Sequence, residues 1–177
     1  MMLWIGGLFI FLLLLIRYFY QRKRRSAHYH PIRELRQANA ILVYNDEKQQ
    51  RVFFSKRYQI AAKPDFIYRY QDGTHSIVEY KSRTSDIYPS DRMQLIATAI
   101  AVKESGKYQI KRGFILNRNG QYEKIDFDIP TDILFAQIEQ PLTQARSIKQ
   151  GNSVTPCPTR EKCTGCGFRE ICHYAFN

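Results

Sequence analysis

The hydrophobic period of this chain changes twice between Ser76 and Leu116, and that change restricts the fold more than any other feature. Ser76-Ile77-Val78-Glu79-Tyr80-Lys81 is a short run rich in β-formers. Across Asp91 to Lys103 the apolar residues Met93, Ile96, Ala97, Ile100 and Ala101 recur at helical spacing. Tyr108-Gln109-Ile110 and Gly113-Phe114-Ile115-Leu116 then return to an extended pattern, closed by Asn117-Arg118-Asn119-Gly120. Upstream, Ile32 to Ala40 has helical character. Extended segments follow at Ile41–Tyr44, Arg51–Phe54, Tyr58–Ala62 and Phe66–Tyr70. Asp72-Gly73 supplies a hairpin turn between the last of these and the Ser76 run. Tyr122 to Ile129 reads as a further strand. Thr131 is an N-cap for a helix from Asp132, which Pro141 bends or interrupts. Helix, several antiparallel strands, helix, strand, helix describes an α/β or α+β sheet domain flanked by helices.

The ends of the chain differ from this middle. Residues 1–16 carry no charge, and Tyr18, Phe19 and Tyr20 extend the apolar run past Arg17. About 20 such residues match the thickness of a bilayer core. A cleaved signal peptide would place a basic region before the apolar run and small residues after it. Here the basic cluster Arg22, Lys23, Arg24 and Arg25 comes after. Residues 1–20 therefore read as a transmembrane anchor and 21–31 as a basic juxtamembrane linker. The positive-inside rule puts the rest in the cytoplasm. The expected folded core spans 32–150, and a tail of 151–177 holds all four cysteines, Cys157, Cys163, Cys166 and Cys172. A chain of 177 residues with net charge +11 has room for one such core. Its basic excess suits a polyanionic partner.

Asp65 begins one expected strand, and Glu79 and Lys81 end the next across the Asp72-Gly73 hairpin. Strand side chains alternate, so Glu79 and Lys81 share a face, and the hairpin can set Asp65 beside them. Glu-x-Lys alone is common and fits ordinary surface charges. What raises its interest is that the apolar Ile77-Val78 leads straight into the two charges. Two carboxylates suit Mg²⁺, which takes oxygen ligands and keeps waters; the Tyr80 carbonyl adds an uncharged oxygen. Such an ion lowers the pKa of a water and offsets phosphate charge. Lys81 would orient that water or stabilise the transition state.

Lys63-Pro64-Asp65, then Val78-Glu79-Tyr80-Lys81-Ser82-Arg83, then Gln94-Leu95 on the following helix resemble the PD-(D/E)XK nuclease signature. They are most similar to the RecB-like branch that includes CRISPR-associated exonucleases with a cysteine cluster; no CRISPR role follows. The resemblance spans about Ala40 to Cys172. It implies a restriction-endonuclease-like core with a central mixed sheet. Asp65 and Glu79 become ligands of Mg²⁺ or Mn²⁺, Lys81 the catalytic lysine, and Gln94 the glutamine that positions Lys81 or substrate. Two positions depart from the pattern: Ala62 stands where a glycine is usual, and Thr98 where a tyrosine is expected four residues after the glutamine. His28, His30 and Glu34 are candidates for a further ligand. The implied activity is cleavage of DNA, single-stranded or from duplex ends. Arg83 and Arg92 could hold phosphates, and Tyr68, Tyr70, Tyr80 and Tyr88 could stack on single-stranded bases, although most of these tyrosines fit better as core or sheet-surface aromatics.

The tail spacing, Cys157-x5-Cys163-x2-Cys166-x5-Cys172, is a strong metal-site pattern in a reducing compartment. Four thiolates suit Zn²⁺ or an iron–sulfur cluster. The resemblance favours a 4Fe–4S cluster on Cys163, Cys166 and Cys172. Cys157 replaces the ligand that such nucleases carry far upstream. A non-catalytic, membrane-tethered nucleic-acid-binding module is the rival reading of the whole chain.

Overall fold

The computed structural model describes residues 32–49, 51–153, 159–164, 166 and 169–176. The expected anchor and linker, with His28 and His30, lie outside these residues, as does Cys157. Among the described residues no helix is long and apolar enough to cross a membrane. The chain divides into two compact units, Met1–Ile138 and Glu139–Asn177.

The first unit opens with a short helix α1 (Arg33–Gln37) and strand β1 (Ile41–Asn45). A single helical turn α2 (Asp46–Gln49) follows, where the sequence reads only as a turn. Strands β2 (Phe53–Ser55) and β3 (Ile60–Ala62) pair with each other in a separate two-stranded sheet. The main sheet comprises β1, β4 (Phe66–Arg69), β5 (His75–Lys81), β6 (Ile110–Asn117) and β7 (Tyr122–Asp126), in the order β1-β4-β5-β6-β7. Helix α3 (Pro89–Glu104) carries the chain from β5 to β6, which pair in parallel; the other three pairings are antiparallel. Helix α4 (Thr131–Ala136) closes the unit.

Each element follows from local chemistry. Asp72 forms the β4–β5 turn by accepting the Thr74 N–H at 2.9 Å and its hydroxyl at 2.7 Å, and Gly73 takes φ +80°, which favours glycine. The β5 strand is central and its residues Ser76, Ile77, Val78 and Glu79 are all buried, as expected for a strand covered on both faces. One face packs on α1: Ile32 and Leu35 meet Tyr68, Tyr70, Val78, Phe114 and Leu116. The other faces α3. There Gly113 has no room for a side chain, because a β-carbon would stand 2.3 Å from the Phe127 ring and 2.9 Å from Leu95. Fully burying each of these aliphatic or aromatic groups is worth roughly 1.5–3 kcal/mol. Lys103 near the end of α3 donates to the carbonyls of Phe127 and Ile129 at 2.6 and 2.8 Å, tying the chain after β7 to the helix.

Several boundaries differ from the sequence reading: β7 ends at Asp126 and not at Ile129, and Pro130 takes the N-cap position of α4, so that Thr131 is its first helical residue. Tyr58 precedes the β3 ladder: it lies in a turn, stacked on Phe135 at 4.4 Å between ring centroids, with its hydroxyl bonded to Asp132. The break after α4 falls between Ala136 and Glu139, and Pro141 sits in the first turn of α5 (Glu139–Lys149) in the second unit. Proline is tolerated there, since the first turn's N–H groups lack helical partners. The second unit also holds α6 (Arg160–Thr164) and a 3₁₀ turn at Arg169–Ile171.

Candidate active site

Pro64 precedes Asp65 at the entry of β4, where a residue without an N–H costs the ladder nothing. The register pairs Phe66 with Val78, so one further step sets Asp65 opposite Glu79. Two bonds fix Asp65: its carbonyl accepts the Asp46 N–H at 3.0 Å, and its Oδ2 accepts the Tyr80 N–H at 2.7 Å. Glu79 and Lys81 point to the α3 side of the sheet. Tyr80 points the other way and is exposed, so only its main chain belongs to the site.

Helix α3 brings Gln94 against this pair. Its Nε2 donates to Glu79 Oε1 at 2.6 Å, and its Oε1 accepts from Lys81 Nζ at 2.6 Å. Lys81 Nζ also donates to Glu79 Oε1 at 3.0 Å. The amide therefore spans the carboxylate and the ammonium in one orientation. Thr98, buried one turn on, bonds back to the Gln94 carbonyl at 2.9 Å.

Glu79 is 4% exposed, and its Oε2 is buried with no hydrogen-bond partner. A buried carboxylate oxygen without a donor is costly. Burial raises the Glu79 pKa, as does the nearby negative charge of Asp65. Asp65 is raised too, chiefly by burial, with the Tyr80 N–H and Lys81 opposing. Two carboxylates held close in a partly desolvated site, one with a free oxygen, are a donor set that a hard divalent cation fits. Among the described residues no group of three or more His, Cys, Asp or Glu side chains is placed to hold a metal ion. The two carboxylates and the Tyr80 carbonyl would leave room for the waters that Mg²⁺ retains.

Other expected residues are placed differently. Glu34 lies on the opposite face of the sheet, paired with Lys124 at 2.6 Å, away from Asp65 and Glu79. Tyr68 and Tyr70 are buried in the α1 core and cannot stack on bases. Arg92 is engaged by Glu123 through two bonds of 2.6 and 2.8 Å. Arg83 is bonded to Asp91, with its guanidinium 4.8 Å from the centre of the exposed Tyr88 ring. Asp91 is a residue the sequence reading passed over. It is buried, and its Oδ2 accepts the Tyr88 N–H at 2.8 Å at the start of α3. The signal was present in Pro89 and an acid two residues later, the ordinary start of a helix.

In the second unit Cys163 is buried, Cys172 half-buried and Cys166 exposed, all as free thiols. The Cys163 Sγ accepts the Phe176 N–H at 3.5 Å, and the Cys166 N–H donates to the Cys163 carbonyl at 3.2 Å. These three do not form a metal-holding group among the described residues.

A family model described as the PD-(D/E)XK nuclease superfamily matches residues 5–173. No curated protein matches the sequence. Among solved structures, one titled "Crystal structure of SSO0001" aligns at 17% identity with a TM-score of 0.41. That alignment covers 67% of this chain and 53% of the other, so the chain spans about half the length of that protein.

Proposed function

Because the chain belongs to the PD-(D/E)XK nuclease superfamily, we propose that it is a Mg²⁺- or Mn²⁺-dependent deoxyribonuclease, exonuclease-like, that hydrolyses phosphodiester bonds with Asp65, Glu79, Lys81 and Gln94. The observation that carries this reading is the bonded triangle of Glu79, Lys81 and Gln94 beside Asp65, next to a Glu79 oxygen that has no partner. Asp65 and Glu79 would hold the cation, with the Tyr80 carbonyl as a neutral ligand. When bound, a divalent ion there would lower the pKa of a water and offset charge on the phosphate.

The protein's own groups do the rest. Lys81 presents an ammonium whose position is limited by Glu79 and Gln94, so little reorganisation is needed to orient a water or to face the extra negative charge of the transition state. Gln94 fixes that position by accepting from the lysine while donating to the glutamate. Asp65, anchored through the Tyr80 N–H, keeps one oxygen of its carboxylate engaged and the pair of acids in place.

A second reading takes the same closed set of bonds as a structural ion-pair cluster in a non-catalytic nucleic-acid-binding module. Incubating the full-length protein in detergent with labelled single-stranded DNA, duplex DNA and RNA, each with Mg²⁺, Mn²⁺ or EDTA, separates the two. Cutting of DNA that EDTA stops supports the nuclease. Retention of DNA without cutting under every metal condition supports the binding module.

Two parts of the proposal rest on sequence alone. Residues 1–20 serve as a membrane anchor, with the nuclease unit on the cytoplasmic side. Resistance of the membrane-bound protein to carbonate extraction supports this, and release into the supernatant contradicts it. The four cysteines hold a 4Fe–4S cluster or Zn²⁺, on the strength of their spacing. Iron and sulfide, or zinc, at one site per chain in anaerobically purified protein supports it, and metal-free protein with an intact fold overturns it.

A further inference from the structure

Arg83 and Asp91 are the charged pair that the chemistry above does not use. Asp91 is 4% exposed, with three positive or donating groups converging on it. Its Oδ2 accepts from Arg83 and from the Tyr88 N–H, and its Oδ1 lies 3.7 Å from Lys81 Nζ. A buried carboxylate of this kind is retained only with partners that answer its charge. Here it has two, and they come from the site and from its rim.

The segment between β5 and α3 that carries Arg83 is held by the β6–β7 turn. Asn117 Nδ2 donates to the Ser85 carbonyl at 3.1 Å, Asn119 Nδ2 to the Thr84 carbonyl at 2.8 Å, and the Arg118 N–H to the Arg83 carbonyl at 3.1 Å. The Arg83 side chain also donates to the Asp86 carbonyl at 3.4 Å and lies over the Tyr88 ring. About a third of the Arg83 side chain stays exposed. A guanidinium offers five N–H donors in a fixed fork, and the named bonds leave some of them free.

We propose that Asp91 is a positioning residue that holds Arg83 beside Lys81, and that Arg83 is the residue gripping a phosphate of the bound strand next to the cleaved bond. The inference deepens the nuclease reading and rests on it. Arg83 is two residues beyond Lys81, and both lean on one carboxylate, so a strand that presents one phosphate to Lys81 presents a neighbouring phosphate to Arg83. A planar fork suits a phosphate better than an ammonium does. Asp91 touches no substrate in this arrangement. It aligns the arginine and neutralises part of the positive charge that Lys81 and Arg83 bring together.

The test uses the full-length protein with a fluorescent single-stranded oligodeoxynucleotide. Affinity is read by anisotropy in EDTA and cleavage in Mn²⁺, for wild type, Arg83→Ala, Arg83→Lys, Asp91→Asn and the double variant Arg83→Ala/Asp91→Asn. Lys107→Ala, an exposed charge in the turn before β6, controls for the loss of one positive charge. Asparagine can still accept the Tyr88 N–H, so Asp91→Asn separates charge from helix capping. The expected result is a Kd about tenfold weaker for Arg83→Ala and Asp91→Asn, the size of one lost charge-assisted bond. KM rises with Kd, Arg83→Lys fails to restore either, and the double variant is no weaker than Arg83→Ala. Wild-type affinity and KM in Asp91→Asn, or losses that multiply in the double variant, would overturn the positioning role. Affinity unchanged in Arg83→Ala, or reduced equally in Lys107→Ala, would overturn the phosphate contact. If wild type neither cuts nor binds the strand, the nuclease reading itself has failed, and this inference falls with it.

Discussion

Glu79 holds one oxygen in bonds to Lys81 and Gln94 and keeps the other buried without a partner. That asymmetry has a consequence for stability. Burial raises the carboxyl pKa of both Glu79 and Asp65 in the folded chain. A carboxyl with a raised folded pKa keeps its proton in the native state where the unfolded chain has lost it. Without metal, this contribution to stability is therefore full below the ordinary carboxylate range and falls as pH rises from there through the raised values. Glu79→Gln removes the ionising group but can keep the Gln94 and Lys81 neighbours. In EDTA at neutral pH we expect its unfolding temperature to be at or above that of wild type, with a flatter pH profile between acid and neutral, measured by thermal unfolding at a series of pH values. A large loss of stability at neutral pH would show that Glu79 is needed for folding as an ion-pair partner. At this scale strand alternation and the Asp72-Gly73 hairpin suffice to group Asp65, Glu79 and Lys81, whereas Gln94 was legible only through the family resemblance, because its approach depends on α3 packing against β5. The sequence was uninformative about Asp91, whose burial depends on Arg83 and Lys81 arriving from another segment. For Tyr68 and Tyr70 a core role was the weightier reading of the sequence, and both are buried, but a strand pattern alone cannot assign either to the covered or the open face.

Strand β6 and helix α3 meet at Gly113, and the geometry leaves no freedom there. A methyl group would collide with the rings and methyls of Phe127 and Leu95. Gly113→Ala should destabilise the protein by about 1–3 kcal/mol, the usual cost of overpacking a filled core, as read from urea unfolding. Because α3 also carries Gln94, the same variant should lower cleavage more than its residual folded fraction accounts for. Full stability would mean that the helix can lift from the sheet at no cost. The elements themselves were largely legible. β1, β4, β5 and α3 fall close to where period and turn residues place them, since each is a single uninterrupted pattern, whereas β6 joins two separate apolar pieces and starts only at Ile110. What period could not show was pairing. Nothing local distinguishes β2 and β3, which form their own two-stranded sheet, from β4. Nor does period predict the irregularity in β1 between Leu42 and Tyr44, which arises from its register against β4.

At the scale of the whole molecule, Asp65, Glu79, Lys81 and Gln94 gather at the end of β5, where a central strand, its antiparallel neighbour and the crossover helix converge. A ligand that binds the native state and not the unfolded chain stabilises the fold as its concentration exceeds its Kd. Mn²⁺ should therefore raise the unfolding temperature of wild type. It should do so much less for Asp65→Asn or Glu79→Gln, whose donor sets are each one carboxylate short. Equal shifts in all three proteins would place the ion elsewhere. The larger organisation expected from the sequence, an anchor at 1–20 and a metal site on Cys157, Cys163, Cys166 and Cys172, falls partly or wholly outside the described residues and rests on pattern alone. The central claim is that Lys81 acts in chemistry at this site and does not merely pair with Glu79. It is tested most directly by single-turnover cleavage of a labelled single strand in Mn²⁺, comparing wild type with Lys81→Ala at saturating protein. The account predicts metal-dependent cutting by wild type and a loss of about 10²–10³-fold or more in the variant, with DNA still bound and the fold intact. Cutting at the wild-type rate by Lys81→Ala would contradict it.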